Sequence, residues 1–162
     1  MFQIGSLVST WASYYANHGM VRTVVEFGHL APLIAGAGLA VTSDTEVLRL
    51  SEKHYERRHS VLDRLRASHD IVLVSLAFIV VSGGLMFAAD LDTYLHSTYF
   101  WIKMGLVALL LVNGAFLRYA DSRVMYNPDD DAHWHRVRRA AALSFVLWFA
   151  TTFIGVALPN VA

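Results

Sequence analysis

Four long stretches of apolar residues constrain this chain more than any other feature. Each is close to the roughly 20 residues that a helix needs to cross the hydrocarbon core of a bilayer. They cover about residues 21–41, 71–89, 98–117 and 140–158 of the 162-residue sequence. No alternating strand pattern persists, and an open sheet cannot satisfy its backbone hydrogen bonds in lipid. The sequence therefore predicts an all-α polytopic membrane protein, a single domain built as a four-transmembrane-helix bundle.

A soluble four-helix bundle is the alternative fold, and it would need a polar stripe along each helix. Residues 71–89 carry only Ser75 and Ser82 as polar side chains. The chain as a whole is 56% hydrophobic, and its mean hydropathy is +0.44. These features favour helices in contact with a lipid bilayer.

The basic residues predict how the helices are oriented. They collect in the segments that follow the first and third predicted spans, and Lys and Arg mark the cytoplasmic side of a membrane. The first segment holds Arg49, Lys53, Arg57, Arg58, Arg64 and Arg66, and the second holds Arg118, Arg123, Arg136, Arg138 and Arg139. The pattern predicts a bacterial inner-membrane protein with both termini on the non-cytoplasmic side. The exceptions are Arg22 and Lys103.

The start of the chain, residues 2–15, mixes Trp11, Tyr14 and Tyr15 with small polar residues. This composition predicts a short N-terminal helix lying in the outer membrane interface. No basic region precedes it, so we do not expect a cleavable signal peptide.

The composition also narrows the choice of function. The formal net charge is zero, so bulk charge gives no argument for a nucleic-acid partner. The chain has no cysteine, which excludes thiolate metal sites and cysteine nucleophiles. The eight histidines are therefore the main candidate metal ligands.

A layer of polar and small residues is expected about 10 Å inside the outer boundary of the membrane. His29 lies seven residues after Arg22, and Lys103 lies about six residues into the third span, which begins on the same side. The small residues expected at this level are Gly83, Gly84, Thr151 and Thr152. Ionisable residues inside a membrane are costly and usually functional, so this layer is the candidate site.

The chemistry of the layer suits a b-type haem. The neutral imidazole of His29 would ligate the iron, with His96 in the outer turn as a second ligand. Lys103 and Arg22 would pair with the propionates. The two glycines would let the flat macrocycle approach the backbone.

Two other interpretations of the same residues remain open. His18, His29 and His96 are a candidate copper or zinc site, since imidazole suits both metals. Alternatively, His29 hydrogen-bonds to a neighbouring helix, Lys103 extends its ammonium to the interface, and the glycines serve helix packing.

Polar residues also gather at the cytoplasmic boundary, where they are expected to anchor the helix ends. Asp44 follows the first span, and an ion pair such as Asp70 with Arg118 would join the second and third spans. His69 is a weaker candidate for a second cofactor. Asn113, inside the third span, is expected to make an interhelical hydrogen bond.

One stretch resembles a known group of proteins. Residues 94–104 read YLHSTYFWIKM, followed by GLVALLLV and ending in FLR at Arg118. This stretch is similar to the third span of an uncharacterised family of small bacterial four-helix membrane proteins. Related families are the CopD copper-resistance proteins and HemJ, a haem-associated protoporphyrinogen oxidase. The intramembrane His29, the Ser82-Gly-Gly84 end of the second span and the basic residues 136–139 are also similar to these proteins.

The resemblance implies that His29 is a haem ligand and that Lys103 is important beside it. It departs from HemJ at Asn113-Gly-Ala-Phe, where that family has a histidine-rich end, and at Val41-Thr-Ser-Asp44, where it has an aromatic-proline-arginine run. Three functions therefore stay open. The first is a haem protein in electron transfer or oxidoreductase chemistry with a redox partner. The second is a copper-binding or transport protein, which as a transporter would need to form a homo-oligomer. The third is an accessory structural membrane subunit.

Overall fold

The computed structural model describes residues 2–50, 55–126 and 131–161. Within these ranges the chain forms six helices and no strand, so the all-α prediction is confirmed. They are α1 (Phe2–Asn17), α2 (Gly19–Arg49), α3 (Tyr55–Ala89), α4 (Leu91–His96), α5 (Thr98–Tyr126) and α6 (Asp131–Val161). The helices α2, α3, α5 and α6 contain the predicted spans.

The helices extend further than the apolar stretches that predict them. For example, α2 continues past residue 41 to Arg49, because polar residues such as Glu and Arg also favour helix. The predicted turn between the second and third spans contains α4, whose N-terminus is capped by Asp90 through Thr93 N at 3.4 Å. A turn is also expected from the sequence at 127–131, but residues 127–130 lie outside the described residues.

The outer surface of the bundle is apolar. Each long helix leaves large hydrophobic side chains uncovered, such as Ile34 at 73% exposure, Phe78 at 59%, Val112 at 68% and Phe153 at 72%. A water-soluble bundle of this size would not leave so much contiguous apolar surface exposed. Since α2, α3, α5 and α6 are also long and apolar enough to cross a membrane, the chain is a multi-pass membrane protein whose helices contact the lipid bilayer.

The four long helices pack as antiparallel neighbours. Helix α2 lies against α3 and α6, and α5 lies against α6, whereas α3 and α5 touch only weakly. The bundle is therefore closed on three sides and has a loose seam, the α3–α5 seam, on the fourth. We call the end that carries Arg49 and Arg64 the basic end, and the end that carries His18 and Asn160 the terminal end.

The basic end has a tightly packed core. Val47, Leu62 and Trp134 are all at most 1% exposed there. The fully buried Arg58 guanidinium pairs with Asp131 at 2.8 Å and lies 5.0 Å from the centre of the Trp134 ring. These contacts join the start of α3 to the start of α6.

The terminal end is covered by the predicted N-terminal helix. In α1, Trp11 Nε1 donates to the Leu85 carbonyl of α3 at 2.8 Å. Beside it, the rings of Phe87 and Phe100 stack at 5.0 Å, and Tyr94 packs against both. The location of α1 in the membrane interface stays a prediction.

Hydrogen bonds and a close backbone contact hold the long helices together inside the bundle. Asn113 Nδ2 donates to the Ala140 carbonyl at 2.9 Å, so the predicted interhelical bond of Asn113 is confirmed. Between α2 and α3, Gly36 lies so close to Ser75 that a Cβ at Gly36 would be 2.7 Å from Ser75 Cβ. Small residues permit such approaches, which supply much of the packing energy between membrane helices.

The contact at Gly36 predicts a difference between two glycines of the same helix. Gly36→Ala forces α2 away from α3, whereas Gly38→Ala meets nothing within 4 Å. Both variants gain the same helix propensity, so the difference between their free energies of unfolding reports the α2–α3 contact alone. We expect Gly36→Ala to be less stable than Gly38→Ala by about 1–3 kcal/mol, measured by denaturant titration in detergent. Equal stabilities of the two variants would contradict this packing.

Candidate functional site

The side chain of His29 is held by α3. Its Nδ1 lies 3.1 Å from the Ile79 carbonyl oxygen and 3.0 Å from Ser82 Oγ. The Ser82 hydroxyl donates its own hydrogen to the Phe78 carbonyl at 2.6 Å. Ser82 Oγ is therefore an acceptor toward His29, and both neighbours of Nδ1 require a donor.

These neighbours fix the tautomer of the ring. A carbonyl oxygen can only accept a hydrogen bond, so Nδ1 of His29 must carry the hydrogen. In the neutral ring, Nε2 then has a free lone pair, turned away from the Ile79 carbonyl. Histidines that ligate metals commonly have this arrangement, with the second ring nitrogen donating to a backbone carbonyl. The geometry thus prepares Nε2 of His29 to bind an electrophile.

Only one of the two predicted glycines faces this ring. A Cβ at Gly83 would lie 3.2 Å from Cε1 and 3.6 Å from Nδ1 of His29, whereas a Cβ at Gly84 would meet nothing within 4 Å. Gly83 therefore leaves the space that the imidazole occupies, and Gly84 lies on another face of α3.

Lys103 lies on the same layer, against α6. Its Nζ is 3.5 Å from the position that a Cβ would take at Gly155. It is close enough to His29 for the two groups to interact electrostatically. In the described parts of the chain, no acceptor is bonded to the Lys103 ammonium. One turn before Gly155, the hydroxyl of Thr151 is buried and has no hydrogen-bond partner among the described residues.

Unpartnered polar groups of this kind are costly in an apolar environment. A bound polar or anionic group would satisfy either of them. His29 and Lys103 lie close enough to interact, as expected of residues on one layer, and the role of this layer as a binding site stays a prediction.

The other predicted histidines lie elsewhere. His96 is exposed, and its Nδ1 bonds to the Asp92 carbonyl of its own helix at 2.8 Å. His18 is also exposed, and its Nδ1 lies 2.8 Å from the Tyr14 carbonyl. In the ranges that the structure describes, no three acidic or histidine side chains are grouped so that they could hold a metal ion. The structure thus does not bring His18 and His96 together with His29.

Arg22 is exposed and reaches toward α1, where its Nη2 lies 3.4 Å from the Ala16 carbonyl. Next to it, Tyr15 lies close to the carboxylate of Glu26. Burial, and then the Glu26 charge, raise the pKa of Tyr15 above its ordinary value. The tyrosine therefore stays neutral at physiological pH. Arg22 and Glu26 bind α1, whereas His29, on the same helix, binds α3.

The predicted pairing at the basic end is not formed. Asp70 and Arg118 are both exposed, and the ion pairs of the described residues do not join them. Asp44 is instead buried between helices, at 1% exposure, where it lies close to Ser144 of α6. This contact depends on α6, which lies a hundred residues further along the chain.

Sequence reasoning did not single out Ile79 as a partner of His29, nor Gly155 as the neighbour of Lys103. The sequence did contain a signal for the contact of His29 with α3. Three α2–α3 contacts, Ser43–Ser68, Gly36–Ser75 and His29–Ser82, recur at seven-residue steps in both helices. A seven-residue repeat of small or polar residues indicates one continuous helix–helix contact.

Comparison with protein family models, with curated proteins and with solved structures finds no match for this chain.

The bonding of His29 makes a spectroscopic prediction. In ¹⁵N NMR of the protein in detergent at alkaline pH, His29 should show a protonated Nδ1 and a non-protonated Nε2, because the Ile79 carbonyl requires a donor. Gly83→Ala should shift both nitrogen resonances, since its methyl group would press on Cε1. The control Gly84→Ala should leave them unchanged. A resonance pattern with the hydrogen on Nε2 would refute the assignment.

Proposed function

We propose that this protein binds a b-type haem through Nε2 of His29 and serves electron transfer or oxidoreductase chemistry in the membrane. The observation that carries the proposal is the bonding of His29 Nδ1 to the Ile79 carbonyl. This bond leaves Nε2 available to a ligand within the first predicted membrane span. A backbone carbonyl behind an imidazole also raises the basicity of the ligating nitrogen.

The neighbouring residues suit a haem as well. Lys103 supplies an ammonium that has no bonded acceptor among the described residues and can pair with a propionate. Gly83 lets the imidazole lie against α3. The Thr151 hydroxyl, which has no partner within the same described ranges, can accept or donate one bond. The haem would supply the redox chemistry. The protein residues would hold it, orient it and exclude water.

The resemblance of residues 94–118 to a span of HemJ and CopD proteins supports this proposal and is independent of the geometry. It implies that Lys103, in this stretch, is important, and the similarity of the first span implies that His29 is a haem ligand. We infer that His29, and not His96, would hold the haem, because the His96 side chain bonds to its own helix. Arg22, which reaches α1, is a propionate partner only if its side chain turns inward.

The absorption spectrum of the purified protein tests the proposal. Protein produced with haem supplementation should show a Soret band, and His29→Ala should lose it, because no other described imidazole shares that layer. Lys103→Ala should retain haem more weakly, by roughly tenfold for one charge-assisted bond.

The matched control is His96→Ala, which should keep the band. A colourless native protein, or an unchanged band in His29→Ala, would overturn the proposal. Stoichiometric copper in the same colourless sample would instead favour the copper function. If double replacement of His29 and Lys103 changes stability alone, the protein is an accessory subunit.

We further propose that the membrane is the bacterial inner membrane, with the basic end in the cytoplasm. The support is the concentration of Lys and Arg at that end, which marks cytoplasmic segments. Both chain termini would then lie on the non-cytoplasmic side.

Because the chain has no cysteine, single introduced cysteines report the orientation directly. Thr93→Cys lies at an exposed position of the terminal end, and Ser60→Cys lies at an exposed position of the basic end. A membrane-impermeant maleimide should label Thr93→Cys in intact spheroplasts, and Ser60→Cys only after lysis. The reverse pattern would show the opposite orientation.

A further inference from the structure

A cavity of about 260 Å³ lies between the four long helices on the basic side of the His29 layer. Its walls are mainly apolar, including Leu76, Leu110 and Trp148. Neither His29 nor Lys103 lines it, so a ligand bound in this cavity does not depend on the proposed haem.

Asp44 is the polar group that the cavity leaves unsatisfied. It lines the cavity and is 1% exposed. Its carboxyl group lies close to Ser144, and Oδ2 has no hydrogen-bond partner in the described part of the chain. A buried carboxyl oxygen without a partner carries a large desolvation cost, so it calls for a donor.

The nearby polar side chains do not supply that donor. Ser43 donates to Ser68 at 2.9 Å, and Ser68 donates to the Leu65 carbonyl at 2.8 Å. His69 Nδ1 bonds to the same carbonyl at 3.1 Å. The two hydroxyl groups and Nδ1 of His69 are thus engaged within α2 and α3. Asp44 Oδ2 is the buried oxygen of the cavity lining that has no partner among the described residues.

The cavity opens through the α3–α5 seam. Leu73 of α3 and Leu111 of α5 line it and are 45% and 44% exposed. Apolar residues at the mouth indicate that it faces the acyl chains of the bilayer. Arg118 also lines the cavity, but it is exposed and forms no ion pair with Asp44 among the described residues. A neutral donor is better suited than a cation to this mainly apolar cavity, because a buried charge is costly.

The volume of the cavity limits which part of a ligand can enter it. A cavity of about 150 Å³ holds a benzene molecule, and drug-sized ligands occupy about 300 Å³ or more. The space next to Asp44 therefore takes one substituted ring or a short branched chain.

We propose that this cavity binds a lipid-soluble hydroxyl compound, whose apolar body lies against Leu76, Leu110 and Trp148 and whose hydroxyl donates to Asp44 Oδ2. Two sources share this chemistry, a hydroquinone head group and an isoprenoid alcohol. The ligand enters sideways from the membrane through the α3–α5 seam.

Binding to the purified full-length protein in detergent tests the proposal. The probes are a decyl-substituted benzohydroquinone kept reduced, its bis-methyl ether, and farnesol, each titrated while quenching of tryptophan fluorescence or heat release is recorded. We expect at least one hydroxyl compound to bind. The ether should bind at least about tenfold more weakly than the hydroquinone if the latter is the ligand, since it cannot donate. The preferred hydroxyl probe identifies the source.

Two variants separate the carboxyl group from the cavity. Asp44→Asn keeps the size of the side chain and should weaken binding of the hydroxyl probe about tenfold. The matched control Asp70→Asn makes the same change at an exposed carboxylate outside the cavity, and should bind as the native protein does. Gly114→Leu fills the cavity from α5, where a Cβ meets nothing within 4 Å, and should abolish binding while leaving Asp44 in place.

The proposal is overturned if neither hydroxyl probe binds the native protein, which would mean that the cavity holds only water. It is also overturned if Asp44→Asn binds as tightly as Asp70→Asn. Should Asp44→Asn fail to fold, unchanged binding to Gly114→Leu would overturn it equally.

Discussion

The close contact between α2 and α3 at Gly36 determines where the candidate functional groups lie. Lipid offers no hydrophobic drive for helices to associate, so a contact of small residues and a few hydrogen bonds must align them. From Gly36, one seven-residue step toward the terminal end brings His29 to Ser82, and one step toward the basic end brings Ser43 to Ser68. The same register thus fixes the tautomer of His29 at one level and forms a wall of the Asp44 cavity at another.

The two ends of the bundle are stabilised by different physical means. At the basic end, Arg58 is buried against Trp134 and Asp131, in a core packed like that of a water-soluble protein. At the terminal end, α1 and a cluster of aromatic rings cover α3. Between them, helix contact rests on glycine, serine and Asn113. Two buried oxygens of this middle region, the Thr151 hydroxyl and Asp44 Oδ2, have no hydrogen-bond partner among the described residues. The bilayer core supplies no bulk water that could take that place.

Local features of the sequence were enough to predict the spans, because hydropathy and the rise of 1.5 Å per residue depend on neighbouring residues alone. The same counting placed His29 and Lys103 at one depth. It could not tell Gly83 from Gly84, since adjacent residues point about 100° apart around a helix and only the packing partner shows which one faces inward. The burial of Asp44 could not be predicted from the sequence either, because it depends on packing against α6, near Ser144. Asn113 was easier to interpret, since an amide within a span needs a partner wherever its neighbours lie.

The loose seam between α3 and α5 has a consequence for how strongly a ligand must bind. A molecule that enters there arrives by lateral diffusion in the bilayer, after partitioning out of water. The concentration that governs occupancy is then the concentration in the lipid phase, which for an apolar compound far exceeds the aqueous one. A modest intrinsic affinity can therefore saturate such a site, and selectivity depends on the hydrogen-bonding group of the ligand more than on its apolar body.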